Sequence, residues 1–214
     1  MYDAINKGWS NAEGNIIAYL NCDEQYLEGT LSFVNKFFHR NPEIDILFGN
    51  TLIVNPKGEL ISYRKGYTPR WFYILTSHLY VMSCTMFLRR GIFEDGFRFD
   101  TNYKASADAE LVVRLLQNRY KAKHINKYFS AFTWTGQNKS TSNEAKTENK
   151  RLFINAPFWI RMFKYPINFI RYFEKFKNGA YLQQFPISYS IYKNQEDRTR
   201  TEFIQDSATW KWIK

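Results

Sequence analysis

A chain of 214 residues that is 44% hydrophobic and 19% aromatic has enough apolar side chain to bury a sizeable core, which excludes a disordered chain. Its formal charge of +10 suits an anionic partner, whether nucleic acid, a membrane surface or a phosphate-bearing substrate, and charge alone does not choose among them. With only Cys22 and Cys84 there is no disulfide framework and no zinc-type spacing, so a reducing compartment is expected; the start "MYDAINKGWS" lacks a signal-peptide pattern and no apolar stretch is long enough to span a bilayer.

The opening "YDAINKGWSNAEGN" predicts a helix closed by Gly14, from the spacing of Ala4, Ile5, Trp9 and Ala12. "IIAYL" reads as a buried strand. "TLSFVNKFFHR" places Leu31, Val34, Phe37 and Phe38 on one helical face and stops before Pro42. "IDILFGNTLIV" and "LISYR" flank the turn signal "NPKGE" and predict two antiparallel strands. "SCTMFLRR" predicts another strand, and "SADAELVVRLLQNRY" a helix with Leu111, Val112, Leu115 and Leu116 inward. "KAKHI" and "YFSAFTW" follow as short strands. The order of strand, helix, strand and hairpin argues for an α/β domain.

Beyond the polar run "GQNKSTSNEAKTENK" the character changes to the aromatic, basic segment "RLFINAPFWIRMFKYPINFIRYFEKFK". A boundary near residue 150 divides a domain over 1–150 from a basic aromatic tail over 151–214. Residues 1–150 carry 19 basic and 15 acidic side chains and the tail 11 and 5, so the excess charge lies towards the C-terminus.

The chemistry-bearing stretch is "IIAYLNCDEQY", a strand that ends in adjacent carboxylates, Asp23 and Glu24. In an open α/β sheet, ligands bind beyond the C-terminal ends of strands. Hard oxygen ligands there suit Mg²⁺ or Mn²⁺, which take one or two protein carboxylates and complete their shell with water and substrate phosphate. A cap on the following helix explains Asp23 equally simply. Asp108, just after the N-cap candidate Ser106, poses the same choice, because the helix macrodipole favours an acid in a first turn whatever the function; Glu110 has a partner in Arg114.

Taken in order and spacing, "YDAINKG", "AYLNCDEQY", "DILFGNTLIVNPKGELI", "SCTMFLRR", "ADAELVVRL" and "FTWTGQNKS" resemble the family 2 glycosyltransferases of the GT-A fold, over roughly residues 1 to 140. The resemblance implies a Rossmann-like mixed sheet flanked by helices and an inverting, metal-assisted transfer of a sugar from a nucleotide-sugar donor to a hydroxyl of a cell-surface glycan or glycolipid acceptor. It implies Asp23 as the ligand of a divalent metal, Mg²⁺ or Mn²⁺, and Asp108 as catalytic base. It places Asn6, Lys7, Asn21, Cys22 and Glu24 on the nucleotide sugar, and Ser83 and Trp134 on the acceptor. The chain departs from the family pattern at Glu24, where a second Asp is usual, at Ser83, where His is frequent, and in the loop that keeps only Gly136. Family members also carry some further residues before the "YDAINKG" helix, with the first strand and the base-binding loop, so an N-terminally incomplete fold is expected. "IIAYL" would then be an open sheet edge, prone to self-association, and donor binding would be weak. The second reading is a non-catalytic remnant or accessory subunit that keeps the acceptor half.

In the tail, Arg161, Lys164, Arg171 and Lys175 share one face of a helical wheel, with aromatic residues over much of the rest and a kink at Pro166. That pattern suits an interfacial helix on anionic lipid, and packing against the domain explains it too. A cytoplasmic protein, free or peripheral at the inner face of a membrane, is the expectation. No nucleic-acid partner is expected, since nucleic-acid binding leaves the ordered acidic motifs unexplained.

Overall fold

The computed structural model of the chain describes residues 1–136, 143–193 and 198–211. It is a mixed α/β structure with a six-stranded sheet in the order β1-β5-β3-β6-β2; β6 runs along the length of β3, while β5 pairs with the start of β3 and β4 with its end. The strands are β1 Ile16–Ile17, β2 Glu24–Tyr26, β3 Ile46–Val54, β4 Leu60–Arg64, β5 Phe87–Arg89 and β6 Ala122–Thr133. Only β3 and β6 run parallel; the other pairs are antiparallel.

Helices cover the sheet: α1 Tyr2–Asn11, α2 Thr30–Arg40, α3 Trp71–Thr76, α4 Arg90–Glu94, α5 Ala107–Gln117, α6 Asn143–Ile154, α7 Phe158–Met162 and α8 Lys164–Lys177. A hairpin of β7 Ile187–Ile191 and β8 Thr201–Gln205 closes the described chain. β3 is the centre, with every residue buried, as its near-continuous apolar run dictates. At Gly49 a side chain would collide with the Phe129 ring, so the β3–β6 pair closes only on glycine.

The helical periodicity of α2 and α5 is realised, with Val34 and Phe38 buried on one and Leu111, Val112 and Leu115 on the other. Leu31 departs from expectation: it is exposed, and with Ala18, Leu20 and Tyr26 it lines an apolar groove of about 360 Å³ beside β1, at the end of the sheet. β1 itself keeps only Ile16 and Ile17 of "IIAYL" in the ladder. "SCTMFLRR" is a 3₁₀ turn over Ser83–Thr85 followed by the short β5, and the two strands expected at 121–125 and 128–134 are one long irregular strand, β6. The last four residues of "FTWTGQNKS" lie outside the described residues.

The C-terminal segment packs into the same cores as the sheet. Ala156, Ile160 and Ile167 join the large cluster that holds Phe48, Met86 and Leu111, while Ile187, Tyr189 and Ile191 pack with Leu52, Val54 and Leu60. Pro166 does not kink a continuous helix. It lies in the first turn of α8, where its missing N–H has no intrahelical duty, and the chain breaks instead at Phe163, between α7 and α8. The expected basic face is also corrected: Arg171 is only 4% exposed, because its stem packs inward and its Nε donates to Asn168. Among the described residues no helix is long and apolar enough to cross a membrane.

Candidate active site

Three segments converge where the sheet ends. β2 is laid against the last residues of β6, with Glu24 opposite Phe132, and the turn before it is tied down by the Thr133 N–H, which donates to the Asp23 carbonyl at 2.7 Å. Glu24 folds back on that turn: its N–H donates to the Asn21 carbonyl at 3.1 Å and its Oε2 accepts from the Asn21 N–H at 2.8 Å. Burial raises the Glu24 carboxyl above its ordinary range; hydrogen bonds from Asn21 oppose the rise, and the charges of Asp23 and Asp108 add to it.

Asp108 enters from the start of α5. Its Oδ1 accepts from the Ala109 N–H at 2.9 Å, a first-turn donor that has no partner inside the helix. The side chain keeps some solvent contact, yet the surrounding protein strips enough water from the carboxyl to push it up to about 6, with the Glu148 charge adding and the backbone donors opposing. A carboxyl poised there is ionised at neutral pH and remains a better base than an ordinary aspartate.

Tyr19 links the two acids. Its hydroxyl faces the Ser83 side chain and lies in the field of both Asp108 and Glu24; burial first, then the Asp108 charge, raises its pKa, with Glu24 adding less. Tyr2 approaches from α1, with the backbone N–H groups of Asp108 and Ala107 directed at its hydroxyl, and it too is raised by burial and by Asp108. Phe99 backs both rings, at 5.1 Å from Tyr2 and 5.5 Å from Tyr19. Asp108, Glu24, Ser83, Tyr19 and Tyr2 therefore form one polar constellation on an aromatic floor.

The remaining sequence candidates lie elsewhere. Asn6 exchanges two hydrogen bonds with the Phe99 backbone, at 2.9 and 3.0 Å, and so holds the floor in place. Lys7 pairs with Asp3 at 2.9 Å on an exposed helix face. Asp23 and Cys22 line a neighbouring cavity of about 660 Å³ with Gln25, Asn55, Thr133 and Lys193. Trp134 follows β6, its N–H donating to the Val54 carbonyl at 2.8 Å.

Among the described residues no three His, Cys, Asp or Glu side chains gather as a metal cage. Glu24 accepts from the Asn21 N–H, and Asp23 is the carboxylate of this turn that lines the cavity of about 660 Å³. A single carboxylate fits Mg²⁺ or Mn²⁺ only if water and a substrate phosphate supply the rest of the shell. Cys84 does not contribute: it is buried against Ser130 at 3.1 Å and burial pushes its thiol up to about 12.

Glu148 is the participant that sequence reasoning missed. From α6 its carboxylate accepts the N–H groups of Lys104, at 2.6 Å, Ala105, at 3.0 Å, and Ser106, at 2.8 Å, gripping the loop that leads into Asp108. It stands in a polar run 40 residues further along the chain, where no pattern singles it out. Tyr19 was visible only as one apolar position of a strand.

The class that these observations define is an α/β protein with a mixed sheet, flanked by helices, and a carboxylate-bearing cleft at one end. No protein-family model matches the chain, and no curated protein matches it in sequence. Among solved structures, the fold is similar to Staphylococcus aureus TarS. Residues 1–349 of TarS in complex with UDP match with a TM-score of 0.44 and 12% identity over 91% of this chain and 76% of that one. The same TarS fragment, in a second structure, matches at 0.46 and 15% over the same shares. A further structure of TarS matches at 0.48 and 13%, over 94% of this chain and 47% of that one. At these values the likeness is one of general fold and says nothing about shared chemistry.

Proposed function

We propose that the chain is a glycosyltransferase that moves a sugar from a nucleotide-sugar donor to a hydroxyl of a cell-surface glycan or glycolipid, with inversion. The observation that carries this reading is the pairing of a carboxyl held at about 6, Asp108, with a second acidic turn at the same sheet end. Transfer needs an acceptor hydroxyl deprotonated and a diphosphate leaving group neutralised. Asp108 takes the hydroxyl proton as the acceptor oxygen bonds to the anomeric carbon, while the carbon–oxygen bond to the nucleoside diphosphate breaks and the electron pair leaves with that oxygen. Asp23 would hold a divalent ion, which would supply charge neutralisation to the diphosphate. Asn21 and Cys22 stand on the donor side of the turn, and Ser83, with Tyr19, orients the acceptor; Trp134 offers a stacking face for a sugar ring. Asp108→Asn tests the reading, because the amide keeps the shape and loses the basicity. Transfer should fall by at least about a thousandfold with donor affinity unchanged. Retained turnover would remove Asp108 from the role of base, and no turnover in the native protein with any donor favours the alternative of a non-catalytic accessory subunit.

A second reading concerns where the protein works. α7, α8 and the residues after them expose Phe158, Tyr165 at 82%, Phe169 at 76%, Phe173 at 64% and Phe176, a run of large apolar side chains on one protein surface. Arg161, Lys164 and Lys177 are interspersed, and the one acid of α8, Glu174, is turned to Arg70. We infer that this face lies on an anionic membrane surface, where aromatic rings insert at headgroup depth and the cations meet lipid phosphate.

A further inference from the structure

On its inward side, α8 carries a guanidinium into the protein that no described carboxylate neutralises. Arg171 is 4% exposed and takes part in none of the ion pairs among the described residues. Its partners are neutral: Nε donates to Asn168 Oδ1 at 3.0 Å, and the guanidinium lies 4.4 Å from the centre of the Tyr172 ring. Asn168 donates in turn to the Thr76 carbonyl at 3.1 Å, which fixes the pair beside Ser77 and His78, themselves joined at 2.8 Å. The Tyr67 hydroxyl, fully buried and without a well-formed hydrogen bond, stands in the field of the same guanidinium. Glu174, one turn on, is committed to Arg70 at 3.2 Å and to the Tyr73 hydroxyl at 2.8 Å.

More positive charge is assembled around this point. Lys175 follows Arg171 by one turn, its ammonium 4.4 Å from the Tyr181 ring and 5.5 Å from Trp210. Arg64, at the end of β4, donates to the Trp210 carbonyl at 3.0 Å, so Arg64 and Lys175 meet over one residue. Asn168 ties Arg171 to the Thr76 carbonyl, two residues before His78, and Lys175 stands one turn after Arg171 on the same helix. His78 is exposed at its edge, yet the surrounding protein and then the charges of Arg171, Arg64 and Lys175 lower its imidazole to about 4, and desolvation, with Arg64 and Arg171, lowers Lys175 to about 8. Gathering like charges around a buried guanidinium costs folding energy unless an anion occupies the site.

We propose that Arg171, Lys175, Arg64 and His78 form a phosphate-binding site between α8, the end of β4 and the loop after α3. The planar guanidinium matches a phosphate edge, the ammonium on its aromatic support adds a point charge, and His78 and Arg64 close the rim. The site is separate from Asp108 and does not rest on the transferase reading. The phosphate group could belong to a soluble phosphate ester or to a lipid headgroup, and the test separates the two.

Inorganic phosphate is titrated into the full chain at low ionic strength and followed calorimetrically, in parallel with sedimentation on phosphatidylglycerol vesicles. Saturable phosphate binding is expected, weakened about tenfold in Lys175→Gln and unchanged in Lys36→Gln, an exposed control on α2. Arg171→Gln should abolish it; if that variant unfolds, Lys175→Gln decides alone. Binding of free phosphate with vesicle partitioning unaffected by Lys175→Gln assigns a soluble ester. Vesicle partitioning lost in Lys175→Gln without free-phosphate binding assigns a headgroup. Absence of both effects, or equal losses in Lys36→Gln, overturns the site.

Discussion

The carboxylate of Glu148 accepts the backbone N–H of Ser106 at 2.8 Å, two residues before Asp108, and so one acid sets the position of another. With Lys104 and Ala105 held by the same carboxylate, the entry to α5 is clamped from α6. Hydrogen bonds to a charged acceptor contribute about 1.5–3 kcal/mol each at most, and a carboxylate serving several of them is costly to remove. Glu148→Ala is expected to lower kcat at least about tenfold and to lower Tm by several degrees. Since the Glu148 charge raises Asp108, its removal also moves the acid limb of the pH–rate profile to lower pH. A purely structural role would lower Tm and leave that limb in place.

As the proposed base, Asp108 is expected to set the pH dependence. Its carboxyl, pushed up to about 6, must be ionised to act as base, so activity should rise with pH through about 6 and level off above it. Stability runs the other way. Because the folded pKa is raised, the folded state holds its proton more tightly than the unfolded chain, and the stability contribution, full below the unfolded value near 4, is lost as pH rises through about 6. Asp108→Asn, inactive, should therefore match or exceed the native Tm at pH 8. A large fall in Tm would mean that the side chain serves α5 as a structural cap.

Asp23 is expected to govern metal dependence. Mn²⁺ binding in the presence of UDP or GDP should weaken at least about tenfold in Asp23→Ala, the loss of the one protein carboxylate on an ion otherwise held by water and phosphate. Glu24→Gln should change it much less, since that carboxylate is already engaged by the Asn21 N–H at 2.8 Å. Equal metal affinity in native protein and Asp23→Ala would remove Asp23 from the site.

The aromatic face of α8 predicts membrane partitioning that depends on its rings. Replacing Phe169, Phe173 and Phe176 together by Ser exposes no core, since these residues are already exposed, and should leave Tm within about 2 °C. Sedimentation with anionic vesicles should nevertheless be lost, and sedimentation of the native protein should weaken with added salt. Unchanged partitioning, or a native protein that dimerises through this face in light scattering, would assign it to protein contact.

Much of the central sheet was legible because apolar runs and turn chemistry are local signals. "IDILFGNTLIV", "NPKGE" and "LISYR" became β3, its turn and β4, and the heptad-like spacing in α2 and α5 became their buried faces. The continuity of β6 was hidden: exposed Lys123 and Lys127 and the register shifts near Asn50 interrupt the alternation that would mark one strand. The β7–β8 hairpin was missed because its strands are short and half polar, and they are held by long-range packing of Ile187, Tyr189 and Ile191. For the candidate site, the sequence singled out Asp23, Glu24 and Asp108 because they stand at element ends. Glu148, Tyr19 and the cluster around Arg171 depend on contacts between distant segments. A helical wheel puts Arg171 among solvated cations, since it cannot know which side of α8 meets Asn168 and Thr76.

The central claim is that Asp108 and the acidic turn at Asp23 perform sugar transfer from a nucleotide donor. The most direct measurement is release of nucleoside diphosphate from a panel of UDP-, GDP- and dTDP-sugars with Mn²⁺ or Mg²⁺, comparing native protein, Asp108→Asn and Asp23→Ala. The account predicts release from at least one donor, rising with pH through about 6, absent in Asp108→Asn and metal-insensitive at a low residual rate in Asp23→Ala. Release from no donor, or release at native rates in Asp108→Asn, would contradict it.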